Sequence, residues 1–300
     1  SITVNRQIKM YLLLNCMEAV MSDLSDSVVV PVHAGCSAVA ATGQSTTTGD
    51  AILAHNFDYL PEIQPLYTVR ESRPTGKLRS LEFTAAPLCG TVDGINEAGL
   101  AITYNYAYAT DMAAPAPSLS MWISEALGTC RTVTETIDLL TKSDRSGGGI
   151  LMLGDAEGAI ASFELSRTRI ALRHSSNSGD RLFHTNRYQT DRMQEVEIDS
   201  AAVHTNRSPK ALRNQRVHQS SECRDDTLRR QLEGTSRLDA ERILEIMSDH
   251  GPNLNPSGDT VCMHGDYWHT TACLLLYPRE RRLRVAYDST CQAQFVDFTL

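Results

Sequence analysis

The stretch "VHAGCSAVAATGQ", residues 32 to 44, sets Cys36 between a glycine and a serine at the head of a run of small residues. A thiol is a weak nucleophile until something takes its proton, and a cysteine at the start of a chain carries its own base, an α-amine with an ordinary pKa of about 7.7 to 8.0. That chemistry requires the Gly35–Cys36 bond to be cut. A glycine before the nucleophile suits the step, because it lets the backbone take strained dihedrals that expose its carbonyl to the following thiol. A carboxylate can then orient the freed amine. The tract "TGQSTTTGD", residues 42 to 50, is turn-like and centred near residue 47. Symmetric strands about that point would set Cys36 opposite Asp58, with Cβ atoms about 4.5 to 5.5 Å apart. One extra residue would turn one of the two side chains to the other face.

A second cluster, "CMHGDYWHTTAC", holds Cys262, His264, Asp266, His269 and Cys273, enough ligand atoms for zinc by count. The spacing fits no zinc-finger or HExxH pattern and the cysteines flank a strand-like run, so no metal or other cofactor is expected, and the histidines read as loop or pocket lining. The sequence lacks Walker A, GxGxxG and GxSxG patterns. A zinc-dependent hydrolase on this cluster stays as the alternative, distinguishable by sensitivity to chelators. Arg187, Arg192, Arg207, Lys210, Arg213 and Arg216 could receive the phosphates of an acyl-CoA donor, but acidic residues interrupt them and a solvated surface is preferred.

The elements that must position these residues read as one α+β domain. With 300 residues, 41% of them hydrophobic, a sizeable core is affordable, and a net charge of -8 argues against a nucleic-acid partner. No apolar run approaches the roughly 20 residues of a membrane span. The eight cysteines include no CxxC pair, which favours reduced thiols and a cytoplasmic location; the chain begins with Ser1 rather than Met, compatible with an upstream segment. Residues 6 to 24 have the period of an amphipathic helix, and short alternating runs to residue 107 read as antiparallel strands. Helices are expected at 118–129 and 132–142, the second opened by a Thr132–Glu135 capping box. Further strands follow, from "GILMLGD" through "TRIALRH". Residues 187 to 225 read as a long polar loop, followed by helices at 225–233 and 239–249 and a closing hairpin of "TTACLLLYP" and "RLRVAYD". No linker divides the chain, and helices cover two sheets.

"GCSAVAATGQSTTTGDAILAHNFDY" resembles the processed N-terminus of the isopenicillin N acyltransferase family of N-terminal nucleophile hydrolases. "LLLNCMEAVM", "LFHTNRY" and "TTACLLLYP" resemble other segments of it, and "VDGINEAGLAITYN" resembles one shared with choloylglycine hydrolases and penicillin V acylases. The resemblance implies a four-layer αββα sandwich, two antiparallel sheets between helical layers. It also implies self-cleavage into a helix-containing pro-segment, 1–35, and a catalytic part, 36–300. Cys36 would be the nucleophile, Asp58 would hold its amine, Asn186 would donate to the oxyanion and Asn105 would be a second donor. The products would be those of a linear amide cleaved through a thioester, by water or an amine acceptor. The partners implied are a small amide or acyl donor and the two associated segments, without nucleic acid or membrane and with oligomeric state open. Two departures matter. His55 stands where the choloylglycine branch has arginine, which argues against bile-salt or penicillin V substrates and makes His55 a substrate-contact candidate. "HTNR" occurs twice, so Asn206 competes with Asn186; the first is preferred for its strand-like lead "RLF". Arg229 or Arg230, near "DDTLRR", matches a family arginine at the substrate. An inactive acyl-amide-binding relative is the other reading of the same residues.

Overall fold

The structure is a computed structural model that describes residues 35–86, 88–111, 116–175 and 179–300. The helix expected at 6–24 and the expected pro-segment up to residue 34 lie outside the described residues. One sheet has six strands in the order β10-β1-β2-β11-β12-β13. These are β1 (Cys36–Ala41), β2 (Ile52–Tyr59), β10 (Arg181–His184), β11 (His269–Tyr277), β12 (Arg282–Ala286) and β13 (Val296–Thr299). The other has seven in sequence order, β3 (Tyr67–Ser72), β4 (Ser80–Ala85), β5 (Asp93–Asn96), β6 (Ala101–Tyr106), β7 (Gly149–Gly154), β8 (Ile160–Leu165) and β9 (Ile170–His174). All pairings are antiparallel.

Alternation along each strand builds the layers. Ala38, Ala40 and Leu53 of the first sheet meet Leu81, Phe83, Ile95 and Met152 of the second. On the far side of the seven-stranded sheet, Ile102, Leu151 and Phe163 pack on α1 (Leu119–Thr129) and α2 (Val133–Thr141). Past the short α3 (Asp191–Gln194), the helices α4 (Gln219–Glu233) and α5 (Ala240–Met247) cover Val39, Ala54 and Leu275 of the six-stranded sheet. The result is the αββα sandwich. β1 is buried on both faces, which is why its residues are small.

Most elements fall where periodicity puts them, and the differences have local causes. Thr132 caps α2 by accepting from the Glu135 amide at 3.2 Å, whereas the Glu135 carboxylate takes the amide of Arg131 at 2.5 Å. The segment expected to be one long loop contains α3, a 3-10 turn at Lys210–Leu212 and the first turns of α4. The closing hairpin gains β13, and β11 inserts beside β2. Among the described residues no helix is long and apolar enough to cross a membrane.

The register of β1 and β2 corrects the sequence expectation. Cys36 pairs with Phe57, not Asp58, and the pairing runs on to Ala41 and Ile52. The turn tract folds as a 3-10 turn at Gly43–Ser45 with Thr46 bridged to Leu238, so the hairpin centre falls half a residue early. Half a residue at the centre is a whole residue in the pairing. The Cys36 thiol therefore shares the inner face with His55 and Phe57, while Asp58 lies across from Gly35, whose carbonyl accepts from the Asp58 amide at 3.0 Å.

Candidate active site

Cys36 opens the central strand and is 1% exposed. Its amide donates to Asn186 Oδ1 at 2.7 Å, and its carbonyl accepts from Arg224 Nη1 at 2.5 Å. The β1–β10 pairing explains Asn186. Ala38 opposes His184, so the chain two residues beyond β10 meets the head of β1. Thr185 fixes that exit by donating to Asp225 Oδ1 at 3.0 Å and to the Ser221 carbonyl at 3.2 Å. Asn186 Nδ2 donates to the Tyr106 carbonyl at 2.9 Å.

Arg224 and Asp93 are residues that sequence reasoning missed. Ser221, Arg224, Asp225, Leu228 and Leu232 form the buried face of α4 at helical spacing. From there the guanidinium reaches Cys36, Ser37 Oγ at 3.1 Å and Asn186 Oδ1 at 3.0 Å. Arg229 and Arg230 are not brought to Cys36. They lie on the outer face, where Arg229 pairs with Asp226 and Arg230 bonds to its own helix. The signal was present in the phase of Leu228 and Leu232, which also selects position 224, once the helix is begun at Gln219.

Asp58 is fully buried. Thr270 Oγ1 donates to its Oδ1 at 2.6 Å, and Oδ2 has no hydrogen-bond partner. Burial pushes its carboxyl up, against the pull of Arg224, Thr270 and His55, to a pKa of about 7. A side chain on Gly35 would begin 2.7 Å from Met263 Cε and 3.3 Å from Asp58 Oδ2. The space there is tight rather than closed, because its nearest neighbour is the end of the flexible Met263 side chain.

His55 is fully buried between the sheets, against the Cys36 thiol, which is no place for a group on the wall of an open substrate pocket. Its Nδ1 lies 2.7 Å from Asp93 Oδ2 on β5, and the other Asp93 oxygen accepts from the Tyr104 amide at 3.1 Å. Burial works against the imidazolium, but the charge and hydrogen bond of Asp93, with Cys36, raise its pKa to about 10. Burial pushes the thiol up and His55 pulls it back, the net direction being up.

Asn105 is buried on β6 and donates through Nδ2 to the Thr185 carbonyl at 3.1 Å, one residue from Asn186. Asn206 is exposed in a turn, whereas Asn186 is the one that bonds to the Cys36 amide. Of the five residues in the 262–273 cluster, Cys262 and His264 come together, Sγ to Nε2 at 3.5 Å, whereas Asp266 is exposed and Cys273 is buried within β11. In the basic segment Arg187 and Arg216 both bond to Glu222, at 3.3 and 2.5 Å. A cleft of about 430 Å³ reaches the site at Gly35, with Tyr108, Asn186, Arg224, Met263 and Trp268 on its walls.

The sequence model of a family described as acyl-coenzyme A:6-aminopenicillanic acid acyl-transferase matches residues 45–291. No curated protein matches the sequence. Solved structures share the fold at low identity. An N-acylethanolamine-hydrolyzing acid amidase ortholog from Caenorhabditis elegans superposes with a TM-score of 0.51 at 15% identity, over 88% of this chain and 100% of that one. A variant of conjugated bile acid hydrolase from Clostridium perfringens gives 0.51 at 11%, over 88% and 97%. Penicillin V acylase from Agrobacterium tumefaciens gives 0.50 at 14%, over 88% and 86%.

Proposed function

Because the chain belongs to the acyl-coenzyme A:6-aminopenicillanic acid acyl-transferase family, we propose that it is a self-processing cysteine amidohydrolase or acyltransferase cut between Gly35 and Cys36. The observation that carries this reading is that the site holds the peptide junction itself. The Gly35 carbonyl accepts from the Asp58 amide at 3.0 Å, the Cys36 amide donates to Asn186 at 2.7 Å and the Cys36 carbonyl accepts from Arg224 at 2.5 Å. The first of these continues the β1–β2 ladder, whereas the other two bring the side chains of Asn186 and Arg224 onto the backbone of Cys36.

In the cut, the Cys36 sulfur adds to the Gly35 carbonyl carbon, the C–N bond breaks, and the thiol proton passes to the leaving nitrogen. Water then hydrolyses the thioester, leaving a Gly35 carboxylate and an N-terminal Cys36 with free thiol and amine. Asp58, beside the junction, then orients the neutral amine and becomes its counter-charge once the amine is protonated. In turnover that amine takes the thiol proton and the sulfur attacks the acyl carbon of a linear amide in the cleft. The oxyanion rests on the Asn186 side-chain amide, with Asn105 fixing the Thr185–Asn186 exit, and the amine product leaves with the proton. Water or an amine acceptor then resolves the thioester. A preformed donor of this kind typically contributes on the order of 10² to 10³ in rate. His55, held charged by Asp93, stabilises the thiolate from the inner face. The structural relatives' names support an acyl amide as the substrate class.

Intact-mass analysis tests the cut. The wild type is expected as two associated fragments divided after Gly35, and Cys36→Ala as a single inactive chain. An active wild type that stays in one piece would sink the proposal.

A further inference from the structure

The geometry points to a structural zinc site, independent of the reading of Cys36, formed by His250, Cys262, His264 and Cys291. Each offers one ligand atom, and the four atoms lie within 4.8 Å of one another. The Sγ atoms of Cys262 and Cys291 each lie 3.5 Å from His264 Nε2. Tetrahedral zinc, with Zn–S of about 2.3 Å and Zn–N of about 2.0 to 2.1 Å, puts nitrogen and sulfur ligands about 3.6 Å apart. His250 stands at 76° to His264 with ring centroids 5.1 Å apart, and its Nε2 is buried without a hydrogen-bond partner. An unpartnered imidazole nitrogen beside two thiols and a second imidazole has the donor set and the gap that zinc fills. Two thiolates and a divalent ion sum to zero charge, and two thiol protons leave to solvent as the Zn–S bonds form.

The spacing hides this site because only two of its ligands belong to the 262–273 run. His250 follows α5, and Cys291 comes from the 3-10 turn at Thr290–Gln292. Asn56 on β2 brings the parts together, its Nδ2 donating to the carbonyls of Met247 at 2.8 Å and Val261 at 2.9 Å and its Oδ1 accepting from Thr290 at 2.6 Å. Four protein ligands leave no open position, so the ion has no catalytic face and acts as a clamp. What it clamps is the 256–268 segment. Met263, His264 and Trp268 of that segment line the cleft, and Met263 packs against Gly35.

The test is elemental analysis of the full chain, untagged and purified without chelator, with zinc expected at about one per chain. Replacement by cobalt should give the intense red-region bands of a tetrahedral site and a thiolate charge-transfer band. Cys291→Ser and His250→Ala should each lower bound zinc about tenfold or more at limiting metal, whereas Cys89→Ser, at a half-buried cysteine between β4 and β5 of the seven-stranded sheet, should not. Wild-type protein that holds less than about a tenth of an equivalent and gives an octahedral cobalt spectrum overturns the proposal. So does a denatured mass lower by two hydrogens with peptide mapping to a Cys262–Cys291 disulfide, because those sulfurs would then be unable to bind the ion.

Discussion

Asp58 is the residue whose electrostatics the proposed cut should change most. In the uncut chain it is buried and its carboxyl is raised to a pKa of about 7, so between about pH 4 and 7 the folded chain binds a proton that the unfolded chain has lost. Stability of the uncut form therefore falls as pH rises through that window, by up to about 1.4 kcal/mol per pH unit. Denaturant titrations of Cys36→Ala with and without Asp58→Asn should show the slope in the first and a shallower one in the second, where Glu197 and Asp225, raised by burial to about 7 and about 6, keep their share. Equal slopes would remove Asp58 from this role. Gly35→Ala makes a sterically defined prediction at the same junction. Its new Cβ would meet Met263 Cε at 2.7 Å and Asp58 Oδ2 at 3.3 Å, so self-cleavage should slow, by less than the roughly hundredfold of a 1 Å misplacement because the Met263 methyl can shift, as followed by mass over time. Met263→Ala should restore part of the rate. Cys36, Asp58 and Asn186 were legible from residue types and motif. Asp93 was not, because nothing in "VDGIN" announces that its carboxylate crosses between sheets to His55.

Helix α4 shows what a boundary error does to a site. Begun at residue 225, it leaves Arg224 in a loop and presents Arg229 and Arg230 as the arginines at hand. Begun at Gln219, its buried face is Ser221, Arg224, Asp225, Leu228 and Leu232. The pairing of β1 with β2 carries the same lesson, since a 3-10 turn in place of a symmetric one moved the partner of Cys36 by one residue. Alternation and helical period survive such shifts, which is why both sheets and most helices were readable while the side chains that converge were partly misassigned. The element makes its own prediction. Arg224→Lys keeps a charge but loses the fork that joins Cys36, Ser37 and Asn186, and activity should fall about a hundredfold while most of the protein still folds. Arg229→Ala and Arg230→Ala should leave activity within about twofold and stability within about 0.5 kcal/mol. Loss of activity in the outer pair with retention in Arg224→Lys would invert the assignment.

Across the whole molecule, the two sheets meet mainly through apolar side chains, and the His55–Asp93 pair is a charged tie set into that interface. The sign of its pH dependence follows from the imidazole, whose folded pKa is raised to about 10 from an ordinary value near 6.5. Its stabilising effect is complete below about pH 6.5, where folded and unfolded chains both carry the proton, and it is lost as pH rises through the folded value. Replacing one partner of a buried ion pair typically costs about 3 to 5 kcal/mol, so Asp93→Asn should be that much less stable near pH 6. The gap should narrow toward pH 10, where the wild type has lost its imidazolium as well. The same variant should slow alkylation of Cys36 by iodoacetamide at neutral pH, because the thiolate loses the charge that His55 holds against it. Urea unfolding of wild type and variant at several pH values, read beside the alkylation rate, separates the two effects. A constant stability gap from pH 6 to 10 would mean that the pair is a neutral hydrogen bond, of the kind that Ser162 and His184 also make between the sheets.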